Sequence, residues 1–353
     1  MRPCGVAVLA HMPDIASEPR LAVAQSADSE FAQTGRTEHE QRLGGRSRVC
    51  NNQQMNHEFQ NIALVGRQTD IRVAEPMRTL AAHLIKAGVK VFAAEALALA
   101  LPVVRIAEDE LCNNADLIVA IGGDGTMLYA SRLAREKGTP ILGVNRGRLG
   151  FLADITPDVM IDSIDRVLAG DYLRDTRLLL KATLTSAAGD KATEYGLNDV
   201  VVQRRGGGGM VDFSTSVGGQ YVNTHSGDGL IVATPTGSTA YALSCGGPII
   251  EPQLDAVALV PVCPHTLTDR PIVIPANQTI DITLLERDKT RAEITVDGGH
   301  LGTLRPGESL QVVTADKRIT LLHPPGHDFY GILRSKLFWG RDSRKRGDQL
   351  PES

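Results

Sequence analysis

The run LIVAIGGDGT at residues 117–126 carries the strongest structural signal in this chain. Its five apolar residues, Leu117 to Ile121, predict a buried strand that stops at the first glycine. Helical spacing of apolar residues follows from Met127 to Lys137, and Gly138 predicts the end of that helix. Where a strand breaks into glycines at the head of a helix, bare backbone N–H groups can bind phosphate oxygens. The predicted phosphate-binding positions are Gly122, Gly123, Gly125 and Thr126.

This glycine corner, residues 122–126, differs from the two common phosphate-binding motifs. No lysine follows the glycines as in a Walker loop, and their spacing is not G-x-G-x-x-G. Asp124 is its only ionisable side chain, an acceptor placed beside the predicted phosphates. The alternative is an αβ turn whose glycines only relieve backbone strain. The embedded aspartate and the threonine after it favour the phosphate site.

Predicted strands and helices alternate around the corner, from Asn61 to about Ile155. Asp70 can cap a helix whose apolar face ends at Gly88. The alternation predicts a mostly parallel, Rossmann-like sheet with helices on its faces. Such sheets bind ligands at the carboxyl ends of their strands, where the glycine corner falls. The predicted strands cover residues 62–65, 89–93, 117–121 and 140–144.

Composition narrows the class of protein. The chain has 353 residues, 42% apolar and only 4% aromatic, which suits two domains with aliphatic cores. A formal net charge of −4 argues against nonspecific nucleic-acid binding. Five scattered cysteines without C-x-x-C spacing argue against a disulfide framework or a zinc site and favour a reducing cytosol. Because no apolar run approaches the roughly 20 residues that span a bilayer, we expect a cytoplasmic protein without a membrane partner.

The character of the sequence changes along the chain. The leading segment shows no sustained period of 2 or 3.6 residues, and Met55 is a hypothetical translation start. Eight short β-type runs lie between residues 178 and 322, most of them separated by Gly, Pro, Asn or Asp, and predict an all-β domain. The predicted segments are a disordered extension at 1–58, an α/β domain at 59–156, a helix and then an all-β domain at 157–322, a segment returning to the α/β domain at 323–345 and a tail at 346–353.

Further motifs follow the glycine corner in a fixed order. NRGRLGFL lies at 145–152, LNDVV at 197–201 and DGLIVATPTGSTAY at 228–241, with GGPI and PHTL after them. Together with GGDGT, this set resembles bacterial ATP-dependent NAD kinases from about Asn61 to Trp339. GGDG also occurs in lipid kinases and phosphofructokinases, whereas the string at 228–241 is far more specific to NAD kinases.

The resemblance implies transfer of the γ-phosphoryl group of ATP to the 2′-hydroxyl of the adenosine ribose of NAD. Such a transfer needs bound phosphates, neutralised charge and an oriented nucleophile. Asp124 would be the catalytic base, with alignment supplying more of the rate than basicity; a helix N-cap is the alternative. The residues implied to bind NAD are Asp124, Gly125, Asn198, Asp199, Asp228, Thr239, Ala240, Tyr241, Ala242, Leu243 and Ser244.

Two of these segments have simpler readings. An Asn-Asp pair such as Asn198 and Asp199 is common in an Asx-turn that enters a strand. The segment at 234–241 could be a Ser/Thr-rich turn leading into a helix capped by Ser238. Gly299 stands where members of the resembled family commonly carry Gln, and four glycines at 206–209 predict a flexible hairpin loop.

Cofactors and partners follow from the same resemblance. No lysine lies in the phosphate cradle, so Mg²⁺ or another divalent ion is implied, held mostly by phosphate and water and by no dedicated protein ligands. NAD and ATP are the implied partners, and the family suggests a homo-oligomer, dimer or tetramer. The alternatives are a lipid kinase of the same superfamily and a dinucleotide-binding regulator without turnover. The use of NADH, or of polyphosphate in place of ATP, stays open.

Overall fold

The computed structural model describes residues 57–66, 71–97, 100–147, 150–204, 210–286 and 290–339. The predicted disordered extension up to residue 56, with the hypothetical start at Met55, lies outside these ranges. The predicted tail and the glycine-rich loop at 205–209 lie outside them as well.

The described residues form nineteen strands and six α-helices, numbered here in chain order. The strands are β1 (Asn61–Gly66), β2 (Lys90–Ala94), β3 (Val104–Ile106), β4 (Leu117–Gly122), β5 (Ile141–Asn145), β6 (Leu173–Arg177), β7 (Leu180–Thr185), β8 (Lys191–Gly196), β9 (Asp199–Arg204), β10 (Val211–Val217), β11 (Gln220–Gly227), β12 (Gly229–Ala233), β13 (Ala256–Val262), β14 (Ile272–Pro275), β15 (Ile280–Leu284), β16 (Ala292–Val296), β17 (Gly299–Leu304), β18 (Ser309–Thr314) and β19 (Ile319–His323). The helices are α1 (Ile71–Lys86), α2 (Leu111–Asn114), α3 (Asp124–Ala134), α4 (Met160–Leu168), α5 (Tyr241–Ser244) and α6 (Phe329–Leu337).

A seven-stranded sheet forms the first layer, in the order β3-β2-β1-β4-β5-β19-β6. Every pair is parallel except β19 with β6. All six residues of β4 are buried, as expected of a central strand covered on both faces. Helices α1 and α4 pack on one face, and α2 and α3 pack on the other. The predicted parallel sheet is therefore confirmed.

Two six-stranded antiparallel sheets form the rest of the fold. Their orders are β11-β10-β15-β18-β7-β8 and β14-β13-β12-β9-β16-β17. Inward-facing residues of both sheets share one apolar core, in which Phe213 of β10 is a fully buried side chain. Alternate residues of β10 are buried, as expected of a strand in a sandwich. The predicted all-β region is confirmed.

Two strands of the predicted all-β segment belong to the seven-stranded sheet and not to the sandwich. Strand β6 and all but the last residue of β19 fall within residues 157–322, yet the two strands complete the seven-stranded sheet. Helix α4, also from that segment, packs in the same core as α1. The segment boundaries stay a prediction. None of the described helices combines the length and the apolar character needed to cross a membrane.

Candidate functional site

The glycine corner joins the central strand β4 to helix α3. The helix begins at Asp124, three positions before the predicted helical spacing starts. A Cβ at Gly122 would fall on the hydroxyl of Thr126, so this close approach requires glycine. A Cβ at Gly123 would meet nothing within 4 Å, so there is open space beside the helix N-terminus. The corner thus has the shape that an anion site needs, and its role as a phosphate site stays a prediction.

A cavity of about 500 Å³ opens at the carboxyl ends of the parallel strands. Gly66 ends β1 at its edge, and Gly125 and Arg132 line it from one face of α3. The turn at Asp297–Gly299, between β16 and β17, forms the opposite wall. The cavity therefore lies between the parallel sheet and the sandwich, at the edge where such sheets bind ligands.

The carboxylate of Asp124 is held against the loop that follows β5. The backbone N–H of Phe151 donates to Oδ2 and that of Leu152 donates to Oδ1, each at 3.1 Å. Asp124 is half-buried and does not line the cavity, although its neighbours Gly125 and Thr126 do. Each carboxylate oxygen has two acceptor sites, so both keep capacity for a further donor.

Asp297 organises the second wall of the cavity. Its backbone lies in the left-handed region at φ 48°, which a short polar side chain tolerates better than most. Its carboxylate accepts hydrogen bonds from the backbone N–H groups of Leu197 and Asn198 at 2.8 Å and of Asp199 at 3.1 Å. This one side chain thereby fixes the start of β9, where two of the predicted NAD-binding residues lie.

Asn198 presents a buried polar atom without a partner. Its side-chain Oδ1 accepts no hydrogen bond within the described part of the chain. Its backbone carbonyl accepts a hydrogen bond from Thr234 N–H at 2.9 Å and packs so closely on Gly237 that a Cβ there would clash. Because buried polar atoms are normally satisfied, the unpartnered oxygen is a candidate acceptor for a ligand.

Asp199 is a buried carboxyl group with an unusual pKa. Burial, and then the charge of Asp297, raise the pKa of Asp199 from 3.8 to about 7. Burial also raises the pKa of Asp297, although the three backbone N–H groups and Arg132 oppose it. The folded chain therefore favours the neutral form of Asp199 in acid.

Replacing Asp199 by Asn should flatten the dependence of stability on pH between about pH 4 and pH 7. The folded state binds this proton more tightly than the unfolded state, so the wild-type free energy of unfolding falls as pH rises through the window. The difference in free energy of unfolding, variant minus wild type, should therefore be larger above about pH 7 than at pH 4. The increase is at most about 4 kcal/mol. Urea unfolding from pH 4 to pH 8 measures this, with the exposed Asp190→Asn as control. A constant difference across the range would contradict the prediction.

The predicted binding segment at 239–244 folds as a 3₁₀ turn, Gly237–Thr239, followed by α5. Ser238 does not cap a helix, because its hydroxyl donates to the carbonyl of Pro235 at 2.6 Å and accepts the N–H of Ile250 at 2.9 Å. Ala242 is buried, whereas Tyr241 is exposed. Ser238 thus serves the internal packing of this turn, and the side chain of Tyr241 remains available to a ligand.

Asp228 lies apart from Asn198 and Asp199. It precedes β12, whose first residue pairs with Gln203 and whose last pairs with Asp199. Asp228 therefore lies opposite Arg204, five strand positions from Asp199, which is about 17 Å between Cα atoms by the rise of a strand. Asp228 forms an ion pair with Arg204 at 2.8 Å. Burial raises the pKa of the Tyr241 phenol, and Cys245, Cys263 and, least, the charge of Asp228 raise it further, so Asp228 lies near α5.

The sequence motifs assigned no role to two residues near the corner, although Asn145 opens the NRGRLGFL motif. Arg132 lies in the cavity, and its guanidinium donates to the carbonyl of Val296 at 3.3 Å. Asn145 ends β5 opposite Gly122, is fully buried, and has a side-chain Nδ2 without a partner among the described atoms. Arg132 could have been found from its spacing, because Gly125, Tyr129 and Arg132 share one face of α3.

Comparison with known proteins identifies the family. The family model for the ATP-NAD kinase N-terminal domain matches residues 41–172, and the model for the ATP-NAD kinase C-terminal domain matches residues 197–323. The chain belongs to the NAD kinase family. A NAD kinase of Hahella chejuensis is 41% identical over 295 residues, covering 83% of this chain and 99% of that protein. A NAD kinase of Nitrosococcus oceani is 38% identical over 286 residues, covering 80% and 98%.

Solved structures of NAD kinases share the architecture. A yeast NADH kinase complexed with NADH has a TM-score of 0.76 at 23% identity, covering 81% of this chain and 89% of that one, which shows the common fold. An Archaeoglobus fulgidus NAD kinase in complex with ATP has a TM-score of 0.60 at 25% identity, covering 78% and 99%. The family resemblance and the fold class inferred from the sequence are confirmed.

Proposed function

We propose that this chain transfers the γ-phosphoryl group of ATP to the 2′-hydroxyl of the adenosine ribose of NAD, giving NADP. As a member of the NAD kinase family it is an NAD-phosphorylating enzyme that uses ATP. The observation that carries the residue-level proposal is the fixed carboxylate of Asp124 at the glycine corner, beside a cavity of about 500 Å³.

Asp124 is the proposed catalytic base. Two backbone N–H groups hold its carboxylate, and the remaining lone pairs can accept the 2′-hydroxyl proton. The hydroxyl oxygen then bonds to the γ-phosphorus, ADP leaves, and the proton passes to Asp124. Because a carboxylate is a weak base toward an alcohol, orientation of the attacking oxygen is expected to supply most of the rate. Backbone N–H groups at 122–126 would bind the phosphates.

Two groups of residues are proposed to bind NAD. The unpartnered Oδ1 of Asn198 suits an amide or hydroxyl donor of the dinucleotide, and Asp199 lies beside it. The other group consists of Asp228 and the segment at 239–244, which would contact the adenosine half. From the resemblance to NAD kinases we infer a homo-oligomer, dimer or tetramer, which light scattering of the purified protein tests. A monomer would contradict that inference.

A divalent ion, Mg²⁺ above all, is proposed to accompany ATP. The oxygen donors around the cavity, including Glu108 and Asp297, are of the kind that Mg²⁺ prefers. None of the described residues forms a cluster of three metal-ligating side chains at this cavity. Phosphate and water would therefore supply most of the ligands. When bound, the ion would neutralise charge on the triphosphate.

A single assay tests the proposed function. Purified protein with ATP, Mg²⁺ and NAD should form NADP, and a parallel reaction with a lipid substrate should give no phosphorylated lipid. Excess chelator should abolish turnover, and activity that persists would contradict the role of the metal. Arms with NADH and with polyphosphate measure the specificity for acceptor and donor. Binding of NAD without any NADP would favour a regulator over an enzyme. A cytoplasmic location is inferred as well, and cell fractionation tests it.

A further inference from the structure

Three side chains with metal-binding atoms converge behind the loop that holds Asp124. His323 ends β19, His327 precedes α6, and Asp154 follows the loop at 150–152. Asp154 Oδ2 lies 2.9 Å from His323 Nδ1 and 2.7 Å from His327 Nδ1. Within the described ranges, this is the one group of three such side chains whose ligand atoms all lie within 4.8 Å of one another.

The three side chains are shielded from solvent. Their exposed fractions are 1% for His323, 11% for Asp154 and 14% for His327. The second oxygen of Asp154, Oδ1, is buried and has no partner among the described atoms. The histidine nitrogens contact Oδ2, so a cation would satisfy the costly unpartnered Oδ1 only when both oxygens of Asp154 bind it.

Both imidazole rings lie within hydrogen-bond distance of carboxylates. The two imidazole rings stack with centroids 3.8 Å apart at an angle of 21°, so two positively charged rings would repel each other. His323 Nε2 lies 3.3 Å from Asp175 Oδ2, an arrangement that fixes a proton on that nitrogen. In a neutral His323, Nδ1 then carries a lone pair that faces the carboxylate of Asp154. Burial lowers the pKa of His323, but the hydrogen bonds and charges of Asp154 and Asp175 raise it above its usual 6.5, so a second proton resolves the conflict. A cation bound at Nδ1 is the alternative that leaves the ring neutral.

We propose that Asp154, His323 and His327 bind one divalent transition-metal ion of the zinc class. Two imidazoles and one carboxylate suit Zn²⁺, whereas Mg²⁺ prefers oxygen ligands. Asp175 supplies the outer carboxylate that commonly orients a metal-bound histidine, and it is itself held by Arg177 at 2.7 Å. The set differs from the donors proposed for Mg²⁺ beside the cavity. Cysteine spacing could not reveal it, because no cysteine takes part.

The proposed ion would connect three parts of the fold. Asp154 adjoins the loop whose backbone holds Asp124, and His327 leads into α6. Arg177, which binds Asp175, also donates a hydrogen bond from its guanidinium to the hydroxyl of Thr236 at 3.1 Å. Occupancy should therefore stabilise the chain against heat.

The test measures metal binding without reference to turnover. Protein freed of metal with a strong chelator is titrated with ZnCl₂ by calorimetry and melted with and without Zn²⁺. We expect about one tightly bound Zn²⁺ per chain, a higher melting temperature, and no competition from millimolar Mg²⁺. Co²⁺ as a spectroscopic probe should give visible absorption bands from nitrogen and oxygen ligands.

Variants locate the ion. His327→Gln and Asp154→Asn should each lose the tight Zn²⁺ and the thermal shift. His83→Gln is the matched control, because His83 forms a comparable pair with Asp165 at 2.6 Å but has no third ligand in the described structure. Circular dichroism confirms that each variant is folded. Unchanged Zn²⁺ binding in His327→Gln, or no tight binding by wild type, would overturn the proposal and leave a hydrogen-bonded cluster.

Discussion

Replacing Asp124 by Asn should lower kcat for NAD phosphorylation by about 10²–10⁴-fold or more. The amide keeps the size of the carboxylate but accepts no proton, and its NH₂ group would face one of the two backbone N–H donors of Phe151 and Leu152. We expect KM for NAD to change much less, since other residues bind the dinucleotide. Steady-state kinetics with both substrates varied measures the effect.

The control must separate lost chemistry from a loosened loop. Asp116 is matched, because its carboxylate also accepts backbone N–H groups, those of Gln60 and Asn61, at 3.0 Å. Asp116→Asn should lower the melting temperature to a similar degree and leave kcat near the wild-type value. A kcat for Asp124→Asn above about a tenth of wild type would rule out the proposed base.

Replacing Arg132 by Ala should raise KM for ATP by about tenfold or more with little change in KM for NAD. Arg132 is the guanidinium in the cavity beside Gly125 and Asp297. A hydrogen bond to a charged group contributes about 1.5–3 kcal/mol, which corresponds to this range. We propose that Arg132 supplies positive charge for the triphosphate, because the glycine corner contains no lysine.

Arg135, the residue directly after α3, provides the matched control. Its guanidinium lies 3.9 Å from the centre of the Tyr195 ring and pairs with Glu136, away from the cavity. Arg135→Ala should leave both KM values near wild type. Gly299→Gln should change KM for ATP less than Arg132→Ala, because the guanidinium that lies 2.6 Å from a Cβ at Gly299 is the far end of a flexible side chain and can shift. An unchanged KM for ATP in Arg132→Ala would show that the phosphates bind elsewhere.

The strands that the sequence predicted are all interior strands of the three sheets. Apolar runs such as those of β4 and β12 are buried on both faces, so their composition alone marks them. Six missed strands, β3, β6, β8, β11, β14 and β17, are the edges of the three sheets. Edge strands pair on one side only and carry more polar residues, as the exposed residues of β8 illustrate. Interior β18 was missed as well.

The sequence also predicted the parts of the candidate site that are contiguous motifs, and missed the parts that depend on contacts between distant residues. The glycine corner and Asn198–Asp199 are contiguous motifs, and the sequence alone named them. The role of Asp297 depends on hydrogen bonds to residues about one hundred positions earlier, which no local pattern reports. The placement of Asp228 at the far end of β12 depends on strand pairing. Such contacts arise only when the whole sheet is assembled.

The position of β19 constrains how the molecule is made. Its parallel pairing with β5 inserts a late segment beside an early one. During synthesis on the ribosome, the edge of β5 stays unpaired until all strands of the sandwich and then β19 have been made. A fragment that stops before residue 319 would leave that edge open to pairing with another chain. We therefore expect that the parallel sheet cannot be expressed as a separate domain by ending the chain after β5, because β19 is needed to cover its edge.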